Sequence, residues 1–170
     1  LGLPAESDWV LYGPYSFDRV LISNAFAYEL SNQVGRYAVR TRFVEMYLNK
    51  NNSTVSASDY VGLYILMEKV KRGRDRVDVE ELEPWDSTEP QIAGGYMLKI
   101  DRTDPSDSGF RTARGTSLCY VDPKEDDITT AQATWIRTYL NSCETALYGA
   151  SFADPDVGYA KYIDVASWID

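Results

Sequence analysis

The chain has no histidine and only two cysteines among its 170 residues. Without histidine, Ser-His-Asp and Cys-His catalysis are excluded within this stretch, as are most zinc sites. Two cysteines, Cys119 and Cys143, allow at most one disulfide; two free thiols are the simpler expectation. Basic residues are scarce, 17 Lys plus Arg against 26 Asp plus Glu, for a net charge of −9. That balance argues against general nucleic-acid binding and against docking on anionic membranes. No apolar run approaches the roughly 18 to 20 residues of a membrane span. Neither GxxxxGK[ST] nor GxGxxG occurs, so both standard phosphate loops are missing. The opening "LGLPAESDWV" has no initiator Met, charged n-region or apolar h-region. The chain therefore reads as a piece of a longer or processed protein.

What is present suits one domain of ordinary size or two small ones. Hydrophobic residues make up 44% and charged residues 25%, ordinary values for a globular protein. In "LISNAFAYELSNQVG", Ile22, Phe26, Leu30 and Val34 recur every fourth residue, with Leu21 and Ala25 extending the stripe. This predicts an amphipathic helix, Asp18 capping its start and Gly35 stopping it. "TRFVEMYLN" alternates as a strand, "KNNSTVSASD" is a polar loop, and "YVGLYILMEKV" reads as a more apolar, central strand. The three predict an antiparallel hairpin.

Further on, "RVDVEELEP" fits a short strand or turn, and "AGGYMLKID" a clear strand. "RTDPSDSGFRTARGT" reads as a polar loop and "SLCYVD" as a short strand. A helix is expected to run through Trp135, Ile136, Tyr139, Leu140, Cys143 and Leu147 to Gly149, with Thr129 and Gln132 as its capping box. In "YIDVASWID", Asp164 caps a last helix whose apolar face is barely begun, which predicts that the natural chain continues.

Five positive residues, Lys69, Lys71, Arg72, Arg74 and Arg76, crowd the end of the apolar strand. They could bind phosphate groups or form a solvated turn that blunts a strand edge. Glu68 follows the same apolar run, either as a functional carboxylate or as an inside–outside switch. Glu29 lies beside the helical stripe and could reach a lysine or face solvent. Asp122, Glu125, Asp126 and Asp127 could hold a cation, or simply complement a helix N-terminus. Lys99 and Asp101 could form a site or pair with neighbours.

Taken together, "LPAESDWVLYGPY", "LISNAFAYELSNQVGRYAVRTRFVEMYLN", "YVGLYILMEKVKRGRDRVDV", "GGYMLKIDR" and "ITTAQATWIRTYLNSCETALY" leading into "YIDVASWID" resemble the CotH family of spore-coat-type atypical protein kinases. The resemblance implies an α+β, kinase-like fold. About residues 1–70 would give a small-lobe part with an antiparallel sheet and one helix; about 71–170 would give a hinge and the start of a helical large lobe. It implies ATP as phosphate donor with Mg²⁺, a protein substrate, and a place outside or on the surface of a bacterial cell. Met67, Glu68, Lys69 and Glu29 would then border the nucleotide, and Lys71, Arg72 and Arg74 the substrate or its phosphates. The family's phosphate-gripping basic segment would precede this stretch, and its catalytic and metal-binding Asp residues would follow it. Ser23 stands where relatives often carry Arg. The implied activity is phosphoryl transfer to Ser or Thr of secreted or surface proteins. Rival readings are a non-catalytic envelope module, favoured by 13 Tyr and four Trp, and transfer of another group from ATP, such as AMP.

Overall fold

The fold comes from a computed structural model, which describes residues 2–101 and 105–169. The chain divides into two compact units, Leu1–Val70 and Lys71–Asp170. Each carries a three-stranded antiparallel sheet, so the class is α+β as expected and compatible with a kinase-like fold.

The first unit contains β1 (Trp9–Tyr12), α1 (Ser23–Gln33), β2 (Thr41–Tyr47) and β3 (Tyr60–Glu68). Its strand order is β1-β3-β2. The most apolar strand is thus the central one, paired on both edges, as continuous hydrophobicity demands. The β2–β3 hairpin runs from Thr41 opposite Met67 to Tyr47 opposite Tyr60. Its loop ends in a short turn whose Ser56 and Asp59 side chains cap one another's backbone. Ile65, 1% exposed, is the most deeply buried apolar side chain of this sheet.

Helix α1 ends where the sequence says it should. Gly35 adopts φ +86°, its N–H donates to Asn32 O, and Arg36 N–H donates to Ser31 O. That is the paired closure a left-handed residue permits at a helix C-terminus. At the other end the N-cap position belongs to Ile22, which has no side chain to cap with, and not to Asp18 as expected; the Asp18 carboxylate, five residues before the helix, still accepts from the Ser23 and Val20 amides. Those bonds hold the Asp18 carboxyl below its usual range.

Only the edge of the expected stripe is covered: Ala25 is buried and Leu21 half-buried. Ile22, Phe26, Leu30 and Val34 are all exposed, Phe26 at 66%. Beside Ala25 the helix turns Tyr28 and Asn32 inward. The reason is local hydrogen bonding: Asn32 donates to Tyr28 O and Ala38 O and accepts from the Ala38 amide. It thereby ties the helix to the strand that follows, and small Ala25 allows a close approach.

In the second unit, β4 (Met97–Lys99), β5 (Gly109–Arg111) and β6 (Ser117–Asp122) form a sheet in the order β4-β6-β5. Strand β5 was not expected; it lies inside the stretch read as a polar loop, of which residues 102–104 fall outside the described residues. Its three residues pair with β6 from Gly109 opposite Cys119 to Arg111 opposite Ser117, and so short a run offers too few positions for alternation to show. The "AGGYMLKID" strand shrinks to three residues. "RVDVEELEP" is irregular apart from a bridge between Arg72 and Val77.

Helix α2 (Thr130–Leu147) starts on the expected capping box: Thr129 and Gln132 each receive the other's backbone N–H. Gln132 does more than cap. It is fully buried, and its Nε2 donates to Glu83 O at 2.7 Å and Asp86 O at 3.1 Å. One side chain thus anchors the irregular 83–86 segment to the helix start. Tyr96 stacks on Trp135 and donates its hydroxyl to Gln132 O; burial, aided by Tyr120, pushes its pKa up to about 12. Both cysteines are free, Cys119 buried and Cys143 half-buried. A last helix, α3 (Val165–Ile169), follows Asp164, which accepts from the Ala166 and Ser167 amides as an N-cap should.

Candidate functional site

Glu68 is the most tightly held of the residues singled out in the sequence. It closes β3 and is 1% exposed, so it is no outward switch at a strand end. A carboxylate that deep must be met by donors, and it is. Arg40 Nε and one terminal guanidinium nitrogen both lie 2.8 Å from Oε1. The Arg40 amide donates to Oε2 at 3.0 Å, and the Tyr37 hydroxyl at 3.2 Å. Charge and hydrogen bonds are thus satisfied together, the condition under which a buried ion pair is tolerated. Segment 37–40 leads into β2, so the pair fastens the end of the central strand to the start of its neighbour.

The backbone around this point is also engaged. Glu68 N–H donates to Arg40 O and Lys69 N–H to Asp8 O. Met67 lies opposite Val10 on one side and Thr41 on the other. The half-buried Met67 side chain and the exposed Lys69 ammonium are what this strand end can offer a ligand. Glu29 is exposed on α1 and accepts from Gln33 Nε2 at 2.9 Å.

The basic run is a turn, as one reading expected, but a folded-back and only partly solvated one. Gly73 N–H donates to Val77 O, Arg76 N–H to Gly73 O, and Val77 N–H to Lys71 O. Arg72 lies 2.8 Å from both Glu81 and Asp122, and those carboxylates raise its pKa against a desolvation that lowers it. Arg76 is buried, 4% exposed. Lys71 is half-buried, and Lys69 and Arg74 are exposed. The five charges therefore divide by environment: Arg72 is neutralised locally and Arg76 is taken inside, leaving Lys69 and Arg74 outermost. Lys99 pairs with Asp107 at 2.8 Å, the neighbour-pairing alternative; that hydrogen bond raises the lysine's pKa.

Asp122, at the end of β6, is one of the four acids read as a cation site, and it serves Arg72. Among the described residues, no three His, Cys, Asp or Glu side chains cluster so as to hold a metal ion. The described acids of this stretch therefore do not make up a Mg²⁺ site.

Sequence reasoning missed three residues. Arg40 and Tyr37 complete the Glu68 network, but three arginines stand at positions 36, 40 and 42, and nothing in their spacing picks out the middle one. Glu144 lies on the apolar stripe of α2, four residues after Leu140. An acid on such a stripe was the available signal. Its Oε1 accepts from the hydroxyls of Thr112 and Thr116, both at 2.9 Å, which fixes the β5–β6 turn to the helix.

No curated protein and no solved structure matches the chain. No described helix is long and apolar enough to cross a membrane. One family does match, over residues 1–170, and its description is CotH kinase protein. It is a family of kinase-like proteins of the spore-coat type, a surface location. With the match covering the whole sequence, the chain belongs to the CotH kinase protein family.

Proposed function

We propose that the full-length protein transfers the terminal phosphoryl group of ATP to Ser or Thr of a secreted or surface protein, and that these residues contribute the nucleotide-binding side. The observation that carries this reading is the family match along the whole chain. In the structure it is supported by the hydrogen-bonded, buried end of β3. A nucleotide pocket needs walls held in place before the ligand arrives, and the Arg40–Glu68–Tyr37 network holds that strand end. On this reading Met67 gives the purine an apolar contact, and Lys69 and Glu29 border the site. Glu68 is a positioning residue, its carboxylate spent on Arg40. Of Lys71, Arg72 and Arg74, the exposed Arg74 is best placed to meet a protein substrate, while Arg72 is committed to Glu81 and Asp122.

The test uses full-length protein with ATP and Mg²⁺. Thermal stabilisation is expected from ligand linkage, together with a product whose mass increases by one phosphoryl group. A mass increase corresponding to AMP would move the reading to adenylyl transfer. A well-folded preparation with neither a thermal shift at millimolar ATP nor a modified product would overturn nucleotide use and favour the non-catalytic scaffold.

A further inference from the structure

Beside the first turns of α2 the second unit holds a cavity of about 310 Å³ that the kinase reading does not use. The size lies at the lower end of the roughly 300–1,000 Å³ typical of small-molecule sites. Phe110 of β5 and Tyr120 of β6 line one side, their ring centroids 5.8 Å apart. Thr130, Ala133, Thr134 and Arg137 line the other. Those four residues are spaced three and four apart, so they share one face of the helix.

Arg137 is the informative residue. The side chain is exposed, and it has no carboxylate or hydrogen-bond partner among the described residues. Arg40 and Arg72, by contrast, each hold a carboxylate. With 26 acids to 17 bases in the chain, an arginine left over is unusual. The hydroxyls of Tyr120, Thr130 and Thr134 also lack hydrogen-bond partners among the described residues. Burial raises the Tyr120 pKa, Arg137 opposes that and Glu125 adds to it; the net rise keeps the phenol protonated and able to donate at neutral pH. The amides of Gln132 and Ala133 already donate to Thr129, so the donors on offer here are side chains.

A guanidinium, three hydroxyl donors and two aromatic rings suit an anion with a flat apolar body. The two-pronged guanidinium matches a carboxylate in shape as well as charge. A dianion such as phosphate fits less well. Arg137 is the single cation among the described lining residues, and Glu125 is close enough to act on Tyr120. A second negative charge would meet repulsion with no second cation to offset it.

We propose that this cavity binds a small aromatic carboxylate, its ring against Phe110 and Tyr120 and its carboxylate paired with the guanidinium of Arg137. The assignment rests on the second unit alone and is independent of the nucleotide reading.

Benzoate titrated into the full-length protein, followed by NMR at the Tyr120 and Thr134 amides, provides the test. Benzamide is the uncharged control of the same shape. Saturable shifts are expected with benzoate, with binding at least about fivefold tighter than for benzamide, the ratio that one charge-assisted pair supplies at a partly solvated site. Arg137→Gln should erase that preference; because the side chain is exposed, the replacement should leave the fold intact. Arg19→Gln, at an exposed arginine of the first unit, should keep the preference. No saturable shift, equal affinity for benzoate and benzamide, or an unchanged preference in Arg137→Gln would each overturn the proposal. Tighter binding of phenyl phosphate than of benzoate would reassign the cavity to phosphate groups and overturn the carboxylate assignment. Displacement of benzoate by an equal concentration of ATP would merge the cavity with the nucleotide site and overturn its independence.

Discussion

Glu68 in the first unit and Glu144 in the second are both glutamates set among apolar residues, yet they are partnered in different ways. Glu68 meets a guanidinium, a backbone amide and a phenol hydroxyl, so both of its oxygens are served. Glu144 meets two threonine hydroxyls on one oxygen, and its other oxygen faces no donor among the described residues. The contrast separates a carboxyl that is part of the framework from one with capacity to spare. Desolvation penalises both, but only the first has a full set of compensating contacts.

Removing the guanidinium should therefore have the largest effect. Arg40→Met leaves Glu68 buried without its cation and is expected to destabilise the first unit by about 3 kcal/mol, read from urea unfolding. The double variant Arg40→Met with Glu68→Gln should cost less than the sum of the single changes. Strict additivity would show that the two groups are not coupled and would break the comparison at its first term. In the second unit, Gln132→Ala removes two donations to carbonyls and one half of a capping box; about 2 kcal/mol is expected. A loss under about 0.5 kcal/mol would mean that water replaces the amide without strain.

Glu144→Gln should be milder, within about 1 kcal/mol, because the amide oxygen can still accept from Thr112 and Thr116. A loss as large as that of Arg40→Met would show that Glu144 is as structural as Glu68, and the contrast would collapse. The smallest effect belongs to Asp18, which is exposed. Its carboxyl is held below the usual range chiefly by the Ser23 amide. A depressed carboxylate pKa gives stability that is present above the unfolded value and lost as pH falls through the lower folded value. The Ser23 amide resonance should therefore titrate below about pH 4, and Asp18→Asn should remove that titration. A titration that survived the substitution would assign it to another group.

Two helices show how much of this was legible in the sequence. In both, apolar residues recur at helical spacing and the end signals are clear, and both helices form close to where they were expected. In α2 the periodic stripe is mostly the covered side: Ile136 is in the core, Trp135, Tyr139, Leu140 and Cys143 are half-buried, and only Leu147 at the end is exposed. In α1 the same kind of stripe is mostly exposed, and Asn32 decides which side turns in. Periodicity reports that a helix has two faces. Which face is covered depends on what the rest of the chain brings against it, and here a polar side chain meeting the backbone of residue 38 outweighs four apolar ones. The strand end behaves similarly. Glu68 stood out as a carboxylate following an apolar run, but its burial depends on Arg40, 28 residues earlier in sequence, and no local pattern joins the two.

Short stretches of sequence were enough for the α+β class, the β2–β3 hairpin with the apolar strand at the centre, the glycine stop of α1, the capping box of α2, the Asp164 cap of α3 and the family. These depend on short-range chemistry: alternation, helical spacing, side chains that reach backbone groups a few residues away, and a left-handed glycine. Only the tertiary structure decided the inward faces, the partners of Arg72 and Glu68, the extra strand β5, and the arginine-bearing cavity beside α2. Each of these depends on contacts between residues tens of positions apart, whose energies come from burial and from donors meeting acceptors in three dimensions, and neither quantity is written in any short window of the chain.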